Sequence, residues 1–126
     1  MWNESAWMAK KWANLIGQKI ATVEAQVDGE QLLFVLSDGR KEKCYVEGDC
    51  CSYSWIEHLT VPDGVNGAVV LSVQEVGGEE ITHPHHECLR VYHTSIKTTA
   101  GDIVIEYRNS SNGYYGGAIS SPEFVQ

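Results

Sequence analysis

The chain has 126 residues, enough for one domain with a single proper core. Hydrophobic residues make up 43% and charged residues 21%, the balance of an ordinary globular protein, and no window reaches the ~18 uninterrupted apolar residues of a membrane span. Seventeen acidic residues against nine basic ones leave a net charge of −8, which disfavours a duplex nucleic-acid binder and leaves solubility, or imitation of a phosphate backbone, as uses for the acidity.

In chain order, residues 3–16 read as a helix. Met8, Trp12, Leu15 and Ile16 share one stripe, Lys10 and Lys11 lie off it, Asn3 is placed to cap the start and Gly17 to cap the end. Trp2 and Trp7 fall away from the stripe and either cover a second surface or wrap the helix end. From Lys19 the period becomes two, with Ala21, Val23, Ala25 and Val27 alternating with polar positions, and Asp28-Gly29 signals a hairpin. Leu32 to Leu36 is apolar on both faces and predicts a central strand covered on both sides. Asp38-Gly39 turns the chain again, and Cys44 and Val46 then oppose Lys43, Tyr45 and Glu47, completing an antiparallel meander.

Residues 48–60 break the regularity, and Ser54 is placed to cap a short helical turn carrying Trp55, Ile56 and Leu59. Pro62 to Gly67 predicts a loop, and Ala68 to Val76 a strand with Val69, Leu71 and Val73 on one side. Gly77 to Glu87 lacks periodicity and reads as an exposed loop. Cys88 to Thr98 is a strand, Ala100-Gly101-Asp102 a turn, and the next strand turns Ile103, Ile105 and Tyr107 inward and Val104, Glu106 and Arg108 outward. The tail after Gly117 reads as a short peripheral segment. The expected fold is a single α+β domain over residues 1–126: an N-terminal helix (3–16) packed on a mostly antiparallel five- to six-stranded sheet (19–119), a meander.

Met1 to Ser5 has no basic or apolar leader region, so no secretion signal and a cytoplasmic location are expected. The four cysteines are then reduced thiols. Adjacent Cys50 and Cys51 would bond to each other only in a strained ring; one thiol is a candidate nucleophile or metal ligand, and the bland alternative is two buried residues shaping a bend. His83, His85, His86, Glu87 and Cys88 carry donors that suit zinc or copper, but their spacing matches no established ligand pattern, and no metal or cofactor is expected. No phosphate-loop, dinucleotide, nucleophile-elbow or zinc-protease motif is present, so the expectation leans away from an enzyme.

The richest stretch is Arg108 to Gly117. Arg108 supplies a fork of donors, Asn109 and Asn112 amides, Tyr114 and Tyr115 flat faces, and the glycines conformational freedom. It reads equally as a ligand-binding loop or as a strand ending in an Asx-rich turn.

Three segments carry a family resemblance. Leu15-Ile16-Gly17-Gln18-Lys19-Ile20 resembles an L-x-G-K-x-I opening, Gly48-Asp49-Cys50-Cys51 with Ile56-Glu57 a D-C-C…I-E segment, and Ser111-Asn112-Gly113-Tyr114-Tyr115 an S-N-G-Y-Y segment. In order and spacing the chain resembles small phage-encoded proteins grouped under a domain of unknown function, DUF7448. Val46-Glu47-Gly48 departs from the histidine expected before Asp-Cys-Cys, which counts against a His–Cys pair there, and the Trp-rich helix looks like an addition. The resemblance implies a viral or prophage origin, singles out Cys50-Cys51 and Ser111 to Tyr115, and supplies no activity.

The first expectation is a non-enzymatic accessory protein of phage–host conflict that binds a small anionic, nucleotide-like ligand through Cys50, Cys51, Arg108, Asn109, Asn112, Tyr114 and Tyr115. The second is an acidic inhibitor of a host defence protein, such as a nuclease or CRISPR effector; the third is a Cys/His metalloprotein or enzyme. A homo-oligomer with a pocket between subunits is compatible with each.

Overall fold

Alternating apolar and polar residues become strands over most of the chain, and register shifts restore the pattern where it slips. The computed structural model describes residues 4–26, 29–48, 52–83, 86–111 and 116–125, without the side chains of residues 4, 5, 83, 86 and 87. Its elements are α1 (Glu4–Lys11), β1 (Ile20–Ala25), β2 (Gln31–Leu36), β3 (Lys41–Gly48), β4 (Tyr53–Thr60), β5 (Val70–His83), β6 (His86–Thr98), β7 (Gly101–Ser111), β8 (Gly117–Ile119) and β9 (Glu123–Val125).

The strands form two antiparallel sheets, not the single five- to six-stranded sheet expected. One runs β1-β2-β3-β8, with β9 also on β3; the other runs β4-β7-β6-β5. The meander β1-β2-β3 is present as expected. The tail is not peripheral: β8 pairs with Val46 to Gly48 and β9 with Lys41 to Lys43, so both extend the first sheet beyond β3. One apolar core is shared by the two sheets, with Leu32, Phe34 and Val46 from the first and Ile56, Ile96, Ile103 and Ile105 from the second. Leu33 and Val35, on the other face of β2, are only half-buried, so that strand is covered on one side.

Two segments differ from the sequence expectation for definable reasons. Residues 53–60 form a strand, because Tyr53 and Trp55 alternate with buried Ser54 and Ile56; the near-helical spacing of Trp55, Ile56 and Leu59 comes from a bulge between Ile56 and His58. Residues 77–83 belong to β5, where register shifts at Gly77/Glu79 and Ile81/His83 hide the period of two. A third shift, between Val70 and Ser72, buries Val70 and Val73 and leaves Leu71 exposed, where one shared face had been expected.

The helix is shorter than 3–16. It ends at Lys11, a turn carries the chain to Gly17, and Gly17 takes φ 86° while donating its N–H to the Val70 carbonyl at 2.7 Å. The expected stripe does bury: Trp12 and Leu15 are 0% exposed. Glu75 on the edge strand β5 holds this end of the helix. Its carboxylate accepts from the Trp12 indole at 2.9 Å and pairs with Lys11 at 2.8 Å, with little of either charged side chain exposed. Asn3 and Trp2 lie outside the described residues; Trp7 is exposed, with Lys11 Nζ 5.3 Å from its ring centre.

Cys44 and Cys88 are free and buried. Burial pushes the Cys44 thiol up to about 12, Lys11 pulling slightly the other way and Glu75 adding to the rise. Burial likewise raises Tyr107, followed by Glu75 and Tyr92.

Glu75→Ala removes the acceptor of a buried indole and the partner of a mostly buried ammonium. It is expected to lower unfolding free energy by about 2–4 kcal/mol in urea titrations, with a smaller loss for Glu75→Gln, which keeps an acceptor. The raised Cys44 and Tyr107 values stabilise the fold fully below their unfolded-state pKa, and that stability is lost as pH rises toward the folded one. The urea midpoint is therefore expected to fall from about pH 9 upward, and less steeply in Cys44→Ala.

Candidate functional site

Along the inner face of the four-stranded sheet the chemistry changes row by row. At one end Ile96 pairs with Ile103; further along, Thr94 stands between Glu75 and Ile105. Tyr92 then stacks on Tyr107, centroids 5.0 Å apart and planes 6° from parallel, with Ile56 beside Tyr107. In a later row the apolar run stops: Arg90 pairs with Glu80 on one side and Asn109 on the other, and Asn109 pairs with Ser54.

Asn109 is 0% exposed, so its amide must find partners inside the protein. Its Nδ2 donates to Ser54 Oγ at 3.1 Å and to Ser52 Oγ at 3.3 Å. Ser54 Oγ in turn donates to the Glu47 carbonyl at 2.8 Å, which ties the second sheet to β3 of the first. Asn109 Oδ1 is buried and has no partner among the described residues.

β8 lies directly against this row. Gly117 donates its N–H to the Tyr92 hydroxyl at 3.0 Å, and a Cβ on Gly117 would stand 2.8 Å from Ser54 Oγ and 3.1 Å from Asn109 Cβ. Its strand partner is Gly48, where a Cβ would stand 2.8 Å from Ser52 Oγ and 3.0 Å from Asn109 Nδ2. Side chains at this crossing would push the sheets apart, so it needs glycine. Arg90 Nη1 reaches the same crossing, 3.9 Å from where a Cβ on Gly116 would be.

This crossing brings the sequence candidates' stems together. Cys50, Cys51, Asn112, Tyr114 and Tyr115 themselves lie outside the described residues. Residues 49–51 leave from Gly48 and return at Ser52; residues 112–115 leave from Ser111 and return at Gly116. Gly48 faces Gly117 across β3–β8, and Tyr53 faces Ser110 across β4–β7, so the stems are neighbours on two strand pairs. The start of β6 runs beside the second stem, since Cys88 pairs with Ser111.

Arg108 and Asn109 are not brought together. Asn109 is on the inner face, whereas Arg108 is on the outer one, where its Nε and Nη2 each lie 3.2 Å from Glu106 Oε2, and His93 Nε2 lies 3.2 Å from Glu106 Oε1. Of the metal candidates, His85 lies outside the described residues and the His83, His86 and Glu87 side chains are not described; Cys88 is buried. Arg90, Ser52 and Tyr92 did not stand out in the sequence, and Ser54 did so only as a helix cap, whereas it is buried in β4: an inward arginine is visible by alternation from Tyr92, but not its place beside Asn109.

A family model for a domain of unknown function, DUF7448, matches residues 13–121. The chain belongs to this family. No curated protein and no solved structure matches it. The DUF7448 match contains all three resembling segments and the whole Asn109 crossing, and begins just after α1. The helix nonetheless contributes Met8 to the shared core, so it is integral to this chain's fold.

Gly117→Ala is expected to cost about 1–3 kcal/mol by urea titration, because the new methyl must displace Ser54 or Asn109. Ala118→Ser, at an exposed neighbouring position, is expected to change stability by less than about 0.5 kcal/mol.

Proposed function

We propose that this DUF7448 protein is a non-enzymatic binding protein of the phage accessory kind, acting in phage–host conflict by sequestering a small anionic, nucleotide-like ligand. The ligand lies at the end of the two-sheet body where residues 49–51 and 112–115 emerge. The observation that carries this reading is the convergence of both stems on buried Asn109, with Gly48 opposite Gly117 and Tyr53 opposite Ser110. Two short segments anchored on one rigid polar crossing provide a composite loop surface on an unyielding base.

We assign the contact with the ligand's anionic group to Arg90 because it stands in the row beside Asn109, whereas Arg108 lies on the outer face against Glu106. In this reading Tyr114 or Tyr115 stacks on a base, Asn112 reads its polar edge, and Cys50 and Cys51 contribute from the other segment. The net charge of −8 suits one compact anion held by a local arginine better than a long polyanion, whose binding needs many cations. The phage setting is supported by the family resemblance.

A thermal-shift panel of mono-, di- and cyclic nucleotides tests the reading. A matching nucleotide at ~100 times its Kd is expected to stabilise the protein by ~2.7 kcal/mol, a rise of several degrees in Tm. Arg90→Gln and Tyr115→Ala are each expected to cut the shift at least several-fold. No shift with any nucleotide would remove this reading.

A further inference from the structure

We infer that the corner between β3 and β4 is a docking groove for a basic side chain, arginine or lysine, of a protein partner. The inference goes beyond the nucleotide reading and does not depend on it. The groove has a volume of about 330 Å³ and is lined by Glu30, Tyr45, Glu47, Ser52, Tyr53 and Ser54 among others. Both tyrosines are exposed, Tyr53 to 56%, and both glutamates are exposed.

The occupant follows from charge and ring chemistry. Two carboxylates and two aromatic faces around one concavity favour a cation, which gains from the carboxylates and from the negative faces of the rings. Among the described residues neither Glu30 nor Glu47 has an ion pair within 4.0 Å. Tyr45 already takes a cation within the chain: Lys43 Nζ lies 5.9 Å from its ring centre, and Lys43 belongs to the neighbouring groove with Glu24, Gln31 and Leu33. The pattern continues along β4, where Trp55 packs 5.2 Å from Tyr53 and bonds Glu57 Oε2 at 2.7 Å. Tyr53, Trp55 and Glu57 thus follow one another on the outer face of β4, with Arg108 of β7 paired to Trp55, so the acidic and aromatic cluster is densest at the groove itself, and the chain's net charge of −8 steers a basic partner inward.

Fluorescence anisotropy with labelled octa-arginine, octalysine and octaglutamate tests this. Both basic peptides are expected to bind in low salt and octaglutamate not to bind. The double variant E30Q/E47Q and, separately, Tyr53→Ala are expected to weaken octa-arginine at least fivefold. The equal-charge control D63N/D102N, at exposed positions away from the groove, is expected to change it less than twofold. All three variants alter exposed side chains, and unchanged circular dichroism confirms folding. Absence of binding by the basic peptides, or a loss in D63N/D102N equal to that in E30Q/E47Q, overturns the inference, the second result because bulk charge would then explain the binding. A nucleotide shift that survives in E30Q/E47Q leaves the two sites independently judged.

Discussion

A buried amide governs the architecture at one end of this protein. Asn109 stands where the inner face of β7 ceases to be apolar, and it is enclosed completely. An enclosed amide without partners would cost several kcal/mol, so the surrounding chain has to supply them. Ser52 and Ser54 do so as β4 begins, and Ser54 passes the linkage to the Glu47 carbonyl of the other sheet. The same enclosure leaves no room for side chains at Gly48 and Gly117. Polar satisfaction and close approach together fix where the two flanking segments start and end.

Periodicity revealed much of the local structure. The stripe of Met8, Trp12 and Leu15, the meander through β3, and the inward Ile103-Ile105-Tyr107 face were all readable, because each depends on alternation within one segment. The division into two sheets was not. It rests on β8 and β9 returning to β3 from the end of the chain, through three-residue strands too short to show a pattern. Bulges concealed the rest: a shifted register at Ile56/His58 imitates helical spacing, and two in β5 make a strand resemble a loop.

The candidate site was legible as segments but not as an arrangement. Alternation already set Arg108 opposite Tyr107, and so on the other face from Asn109; the ion pair with Glu106 shows where that arginine's charge is used. Arg90 and the two serines acquire meaning only from register, which joins residues distant in sequence. The family match takes in the crossing but starts after α1, although Trp12 and Lys11 are tied to Glu75 in the sheet. The Asn109 crossing and the helix therefore sit on one body, joined through the inner face of the second sheet. On that body the proposed anion site and the acidic corner groove flank the Ser52–Ser54 segment, with opposite charge preferences.

The central claim is that residues 49–51 and 112–115 act as one recognition surface. The most direct measurement is a nucleotide titration of the 15N-labelled protein followed by amide chemical shifts. Gly48, Ser52, Ser111 and Gly116 are expected to move together along one binding curve with a single Kd, while Asp63 and Asp102 stay fixed. Shifts confined to one stem, or different Kd values for the two, would contradict the account.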